Sequence, residues 1–504
     1  MDKALLGVDL GTTSLKAVVY SPEGEVVSEK DVAYPTFFPR PMWAEQNPED
    51  WWNAFRRAVR HVVAEARGKG FSIAAIALDS QREGVVPVSR SGRPLANCII
   101  WMDRRSWEEA RMIGGLIGEE EVYRRTGLVV EPTYTATKML WLKKHMPSVF
   151  EKTWVFLQPK EYINYRLTGV AATDPSLASR TMLFNVSRLE WDDDVACALG
   201  IPLDKMPEVK SSDEIIGVVS GELARSLGLP DGCPVINGGG DRQCEALGAG
   251  VVGPGVFAES TGTATNVMTS ASRPVFDVHR RILVSCHVVK GYWLKEAGTS
   301  PTGAILKWFR DLAYQGEPDP YEAMNREAEK SPPGANGVVV LPYFMGSRAP
   351  LWKPYMRGLI AGLSLGISRG DVVRGIMEGI ALLIREILET YDEIGFKASR
   401  IRLLGGAARS RLWNTIKASV LGMKVEVLKE YSAASLGAAV LAGVAVGIYH
   451  SPIEAAERLL KVEEVVSPRE EWVQIYDDKY RDFKKVSRMA VSLYRELKAG
   501  RDLD

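Results

Sequence analysis

Leu6-Gly7-Val8-Asp9-Leu10-Gly11-Thr12-Thr13-Ser14-Leu15-Lys16 joins an apolar run, a single carboxylate and a Gly-Thr-Thr-Ser turn to a second apolar run. The pattern predicts a buried strand from Ala4 to Leu10, a tight turn at Gly11 and a returning strand from Leu15 to Tyr20. A third strand is expected from Glu25, after the turn Ser21-Pro22-Glu23-Gly24. Backbone N–H groups and the hydroxyls of Thr12, Thr13 and Ser14 can face an anion across such a turn. Asp9, at a strand end beside a phosphate-sized space, suits Mg²⁺. An ordinary hairpin would use the same residues, so the stretch alone leaves both readings open.

The second half repeats the design. Phe257-Ala-Glu-Ser-Thr-Gly-Thr-Ala-Thr-Asn-Val-Met268 reads as strand, then Gly262-Thr263-Ala264-Thr265, then strand. Two such turns predict two similar domains that face each other and grip one polyphosphate from both sides. The boundary is expected between Leu247 and Gly253, giving domains 1–248 and 249–504.

The chain has 504 residues, 46% of them hydrophobic, which is enough for two or three cores. Lys plus Arg and Asp plus Glu both number 63, with no basic stripe, which argues against nucleic acid and for a small-molecule partner. Five cysteines form no C-x-x-C pair and the N-terminus enters a strand directly, so reducing cytoplasm is expected. The most apolar window, Ala433 to Tyr449, is broken by Gly437, Gly443 and Gly447 and is expected to be a buried helix, not a membrane span.

Asn47-Pro48-Glu49-Asp50 carries the signals of a helix start, and Trp52, Phe55, Val59, Val62 and Ala66 follow at helical spacing. An apolar strand, Ile73 to Leu78, then runs into Asp79-Ser80-Gln81-Arg82-Glu83-Gly84, and ligands of open α/β sheets bind at such strand ends. Arg82 and Glu83 offer a donor and an acceptor to hydroxyl groups, or simply a surface ion pair. A strand from Asn97 to Trp101 brings an aromatic face that can flank a sugar skeleton or sit in the core. Glu108 to Gly200 reads as a mainly helical insertion forming one wall of a cleft. Pro234-Val235-Ile236-Asn237 opens onto Gly238-Gly239-Gly240-Asp241-Arg242, where bare backbone lets a ligand approach closely. Asp241 is the expected general base for an attacking hydroxyl, and it can also cap the following helix.

Further on, Gly298 to Gly303 precedes an amphipathic helix, and Gly303 can approach a nucleotide. Ser368-Arg369-Gly370-Asp371 is a capping box opening a long helix. Ile401 to Leu404 meets Gly405-Gly406-Ala407-Ala408-Arg409-Ser410, where a base and ribose can lie on bare backbone. A last helix, opened by Ser467-Pro468, carries Trp472, Ile475, Tyr476, Tyr480, Phe483 and Val486 along one face.

Other motifs fail on context. Gly248-Ala-Gly250-Val-Val-Gly253 matches a dinucleotide fingerprint, but Pro254 and Gly255 stand where its helix should begin. Gly362-Leu-Ser364-Leu-Gly366 matches a nucleophile elbow, yet His450 is the one histidine that follows Ser364. No P-loop occurs, and no histidine pair has zinc-ligand spacing.

Taken in order, these motifs resemble the FGGY carbohydrate kinases, two-domain members of the actin, hexokinase and Hsp70 superfamily, across nearly the whole chain. The resemblance implies an α/β fold with two ribonuclease H-like, actin-like ATPase domains facing across a cleft. It implies ATP-dependent transfer of the γ-phosphoryl group to a sugar or polyol hydroxyl, with Asp241 as base and Mg²⁺ near Asp9 and Asp241. Nucleotide contacts are implied at Asp9, Gly11, Thr12, Thr13, Ser14, Lys16, Gly262, Thr263, Gly303, Lys307, Gly405, Gly406 and Ser410.

On the acceptor side, Ser80 to Glu83, Asn97 to Arg105 and Thr173 to Asn185 look like glycerol kinase, whose matching Arg, Glu and Trp hold glycerol. Thr133, Arg242 and Asn266 depart from it, putting polar groups where an apolar clamp would hold three carbons. Gly238 to Asp241 and Pro342 to Pro350 resemble xylulokinases, although those carry Met-His where this chain has Arg82-Glu83. Autoinducer-2 kinases share the Arg-Glu-Gly and Gly-Gly-Gly-Asp elements. The resemblance implies a ketose or related open-chain sugar, xylulose-like, with Arg82, Glu83, Trp101, Thr133, Arg242 and Asn266 as its contacts. Glycerol or another polyol, an autoinducer-2 precursor, and a non-catalytic nucleotide switch of the actin or Hsp70 type are the alternatives. A homodimer is compatible with the sequence, and no nucleic-acid or membrane partner is expected.

Overall fold

The computed structural model describes residues 1–299, 301–429 and 432–499. Ser300, inside the run from Gly298 to Gly303, lies outside the described residues. The opening strand, Asp2–Leu10, pairs antiparallel with Ser14–Tyr20 and parallel with Phe71–Ser80. With Val26–Ala33 beyond the hairpin, and Cys233–Gly240 and Ile215–Val219 on the other side, it builds a six-stranded sheet. Both faces of this strand are covered, which is why its sequence is apolar without alternation. Leu6, Val8 and Leu10 share a core with Trp51, Phe55, Val59 and Val62 of the helix Pro48–Gly68. That helix starts where the sequence places it, with Asn47 accepting from the N–H of Glu49 at 3.0 Å.

The second sheet uses the same plan. Val256–Thr261 pairs antiparallel with Thr265–Ala271 and parallel with Arg400–Leu404, and Val425–Leu428 and Trp293–Gly298 extend it on either side. The long helix Arg369–Glu393 packs on it through Ile376, Ile380 and Ile384. Its capping box is complete: Ser368 Oγ accepts from the N–H of Asp371 at 3.2 Å, and Asp371 Oδ2 accepts from the N–H of Ser368 at 2.8 Å.

The opposite face of the first sheet is covered by a helix from the second half. Ala433–Ala445 lies against Leu5, Val18, Ala75, Ala77 and Ile236. Small residues bring its backbone into direct contact with the neighbouring chain. A Cβ on Gly7 would sit 2.0 Å from the Ser435 carbonyl oxygen, and one on Gly437 would sit 2.0 Å from that of Cys244. Tyr20 and Ser435 share a buried hydrogen bond of 2.9 Å across this contact. The helix is therefore buried as its composition predicts.

Several elements differ in extent from the sequence expectation. The strand expected from Asn97 to Trp101 shrinks to Cys98–Ile99, because Glu45–Gln46 offers it only a two-residue partner. The short strand at Pro234 lengthens to Cys233–Gly240, since Gly239 and Gly240 pair with Asp79 and Ser80. In the last helix, Glu470–Ala499, Tyr476 and Phe483 are buried but Ile475 is exposed. The insertion packs as a helical block with its own core, including Ile113, Val122, Met139 and Leu142. Among the described residues no helix is long and apolar enough to cross a membrane.

The close backbone approach predicts a large cost for any side chain at Gly437. Gly437→Val is expected to destabilise the protein by about 3 kcal/mol, read as a lower urea midpoint. An unchanged midpoint would contradict the packing described.

Candidate active site

Three neighbouring strands of the first sheet end together, and each delivers a carboxylate. Asp9 and Asp79 are direct partners across the parallel pair, and Asp241 follows Gly240 at the end of the third strand. Asp241 is the first residue of the helix Asp241–Gly248, with Gly240 at the capping position and Asp241 Oδ1 accepting from the N–H of Arg242 at 2.7 Å. Burial pushes the Asp9 carboxyl up to about 7, with Asp241 adding to the shift. Asp79 is fully buried, no N–H donor reaches its oxygens, and burial followed by the adjoining Asp9 carboxyl drives its pKa well up. Burial raises Asp241 too, against the pull of Arg82 and Arg242.

Arg82 sits at the centre of the acceptor side. Its Nε is 3.0 Å from Asp241 Oδ1, and its two terminal nitrogens form a fork on Glu296 at 2.7 and 2.9 Å. Burial works against the Glu296 carboxylate, but Arg82 and Arg180 outweigh it and hold the pKa far below the usual range. Asn266 donates to the same carboxylate at 3.0 Å, leaving its own Oδ1 buried and unpartnered. Glu83 accepts from Arg180 Nε at 2.7 Å and lies 4.0 Å from Arg82 Nε.

Glu83 is placed by an unusual backbone. Glu83 has φ of 64°, a left-handed conformation that costs a residue with a Cβ roughly 1–2 kcal/mol. Two side chains hold it there. Gln158 Oε1 accepts from the Glu83 N–H at 2.8 Å, and Lys138 Nζ donates to the Glu83 carbonyl at 2.7 Å. Lys138 also donates to the Thr133 carbonyl at 2.6 Å, and burial depresses its pKa to about 8.

Thr133 accepts from Arg104 at 2.5 Å and donates to Glu131 at 3.1 Å. Trp101 donates its indole N–H to Thr12 Oγ1 at 3.0 Å, tying the acceptor side to the first hairpin turn. Arg242 is turned away from the other acceptor residues, bonding Glu245 at 2.6 Å and Ser260 of the second hairpin at 3.3 Å.

In the first turn, the carbonyls of Gly11, Thr12 and Thr13 are all engaged, by Tyr34 Oη, by Gln46 Nε2 and by the N–H of Tyr34. The Gly11 N–H is bonded to the Ser14 carbonyl at 3.0 Å within the turn. Lys16 is held by Glu29 at 2.9 Å. Around the second turn, a Cβ on Gly303 would lie 1.9 Å from the Gly262 carbonyl and one on Gly405 2.7 Å from that of Thr261. Both glycines are thus required by backbone packing, whereas Gly262 and Gly406 face open space. Ser410 caps the helix Arg411–Leu421 and donates to Asn325 at 2.9 Å. Lys307 is exposed on its helix.

Two family models match this chain: the N-terminal domain of the FGGY family of carbohydrate kinases over residues 4–248, and the C-terminal domain over residues 258–446. The chain belongs to this family. It is 30% identical to a xylulose kinase of Bacillus subtilis over 499 residues, covering 99% of both chains. It is 34% identical to a glycerol kinase of Thermococcus gammatolerans over 478 residues, covering 93% of this chain and 94% of the other. A solved xylulose kinase from Rhodospirillum rubrum superposes with a TM-score of 0.90 at 27% identity, covering 98% of this chain and 100% of that one.

As an FGGY carbohydrate kinase the protein is a phosphotransferase with an alcohol acceptor and ATP as donor. Sequence reading passed over Glu296, Lys138 and Asp79 as site residues. A charged pair, Lys295-Glu296, inside an otherwise apolar strand was the available signal for the first. Lys138 was hidden in a helix whose periodicity explained it already.

Asp79 bears on Mg²⁺. A buried carboxylate without a partner beside one raised to about 7 is a site short of positive charge, and a divalent cation fits it. Among the described residues no three ligand side chains form a ready metal cage, so phosphate oxygens would complete the coordination.

Two outcomes follow from this geometry. Lys138→Met should raise the KM for the acceptor about tenfold while moving the KM for ATP less than about threefold, because it frees the Glu83 carbonyl. Steady-state kinetics in both substrates reads the split. The carboxyl pair, with pKa values raised above those of the unfolded chain, binds more protons when folded. Its contribution is therefore present below about pH 4 and lost as pH rises through about 7. Asp79→Asn should stabilise the ligand-free protein at pH 7.5 by about 1–2 kcal/mol, with the gain shrinking at pH 4.5. Equal urea midpoints at both pH values would refute this.

Proposed function

We propose that this carbohydrate kinase phosphorylates a hydroxyl of a ketose or related open-chain sugar, with Asp241 as general base. The observation that carries the choice of acceptor is the polar lining around Arg82. Asn266 Oδ1 and Arg180 Nη1 are buried without hydrogen-bond partners, and Thr133 replaces bulk with a hydroxyl. Groups of that kind match an extended row of hydroxyls better than a three-carbon chain. A xylulose-like acceptor suits this reading, with glycerol and autoinducer-2 precursors as the competing substrates.

In this reading the acceptor hydroxyl lies between Asp241 and the γ-phosphorus. Its oxygen forms the new P–O bond as the bond to the leaving ADP breaks, and its proton passes to Asp241. Arg82 fixes the orientation of the Asp241 carboxylate through Nε and opposes the rise that burial imposes on its pKa. Glu83 and Trp101 take the sugar's remaining hydroxyls and carbon face. In this reading the turns Gly11 to Ser14 and Gly262 to Thr263 hold the phosphates, while Gly406 and Ser410 lie beside the nucleoside. Mg²⁺, held through Asp9 and Asp241 and partly through water, would neutralise charge on the β- and γ-phosphates. The free cysteines suit the cytoplasm.

Asp241→Asn should lower phosphoryl transfer by about 10³-fold or more while leaving ATP binding intact. A coupled ADP-release assay across glycerol, xylulose, ribulose, gluconate, erythritol and autoinducer-2 precursors, with ATP binding by calorimetry, tests both the base and the acceptor. Full turnover by the variant would defeat the assignment. Slow ATP hydrolysis indifferent to every acceptor would point instead to a nucleotide switch.

A further inference from the structure

Beside the glycine run that leads to Asp241 lies an ion pair closed off from solvent, Lys160 Nζ to Asp174 Oδ1 at 2.8 Å. Desolvating two charges is costly, and well-packed apolar residues would serve stability at least as well. The pair is not isolated. Asp174 Oδ2 accepts from the Ser176 N–H at 2.9 Å, from Ser212 Oγ at 2.9 Å and from Ser176 Oγ. Ser176 Oγ in turn accepts from the N–H of Gly240, the residue before Asp241, at 2.9 Å. The direction of this chain is fixed. A carboxylate paired with an ammonium only accepts, so the Ser176 hydroxyl hydrogen points to Asp174 and its lone pairs are left for Gly240.

The glycine run needs such a hold. Pairing of Cys233–Gly240 with Phe71–Ser80 is interrupted between Ile236 and Gly239. Across the gap, the N–H groups of Asn237 and Gly238 donate instead to the carbonyls of Glu214 and Ser212, at 2.9 and 2.8 Å. The buried Asn237 side chain accepts from Lys160 at 3.4 Å and donates to the Thr173 carbonyl at 2.8 Å. The run has no room for side chains that could brace it from within. A Cβ on Gly239 would lie 2.3 Å from Val288 Cγ1 and 3.0 Å from Ser176 Oγ. The backbone that carries Asp241 is therefore braced from outside, and Lys160 touches both of the braces, Asp174 and Asn237.

Resting on the reading of Asp241 as general base, we propose that Ser176 is a positioning residue for that base, its hydroxyl locked by Asp174 and Lys160 as an acceptor for the Gly240 N–H. The Asp241 carboxylate is aimed by Arg82 and by the N–H of Arg242, but the point from which it hangs is set by this buried chain. Loss of the Ser176 hydroxyl leaves the Gly240 N–H without its acceptor and lets the base drift from the attacking hydroxyl. A misplacement of about 1 Å is enough to cost about 10²-fold in rate.

The test places Ser176→Ala in two backgrounds, the parent enzyme and Asp241→Asn, and measures kcat together with the KM for ATP and for the best acceptor of the ADP-release assay. In the parent, kcat should fall about tenfold or more with both KM values moving less than about threefold. In the Asp241→Asn background the same substitution should cost less than about twofold, because the group it positions is already gone. Ser176→Cys, which fills the space with a weaker acceptor, goes through the same comparison and should show the same dependence on background, so the result does not hang on the folding of one variant. A purely structural role would cost the same factor in both backgrounds. Equal losses, or a parent kcat that does not change, would overturn the inference and leave the base assignment standing. Full turnover by Asp241→Asn alone would overturn the base assignment, and the inference with it.

Discussion

Arg82 is the residue on which the active site depends. Its guanidinium touches the expected base, Asp241, from one side and grips Glu296, from the other half of the chain, with both terminal nitrogens. A buried cation of this kind is costly to desolvate and is stable only when its partners are fixed. The partners are fixed by different sheets. Asp241 hangs from the end of Cys233–Gly240, and Glu296 sits within Trp293–Gly298 of the second sheet. One fork therefore sets the distance between the two halves where phosphoryl transfer would occur.

Much of this was legible in the sequence because it rests on local rules. The two Gly-Thr turns and the Asn47 and Ser368 caps each have a short-range signature and take their expected form, whereas the glycine run before Asp241 joins the strand through its pairing with Asp79 and Ser80. Arg82 and Glu83 were legible as a pair at a strand end, but the positive φ of Glu83 was not, because Lys138 and Gln158 hold it from distant parts of the chain. Glu296 was harder to read for the same reason, since its cationic partners Arg82 and Arg180 lie more than a hundred residues away. Gly303 and Gly405 illustrate the reverse case. Bare backbone there suggested nucleotide contact, and the structure adds a packing reason, the close approach of the second hairpin.

The carboxylates at the first sheet edge show where stability yields to function. Asp9, Asp79 and Asp241 crowd one another, and burial and the neighbouring Asp9 drive the Asp79 pKa well up. A sequence selected for stability alone would place an amide or an apolar group there. Keeping the acids makes the ligand-free protein hold carboxyls whose ionisation is disfavoured by burial and by one another until a cation is bound.

The helix Ala433–Ala445 has a consequence for how the chain is assembled. The first sheet has its hairpin, its parallel strands and its outer helix from residues 2–240, yet one whole face stays bare until the polypeptide has grown past residue 445. During synthesis Leu5, Val18, Ala75, Ala77 and Ile236 would await a cover encoded almost two hundred residues after the sheet is complete. Topologically there are two repeats, but they mature as one unit, and an isolated first half would expose an apolar floor. Cutting the gene between the repeats would separate the motifs cleanly while leaving the first sheet without its lid.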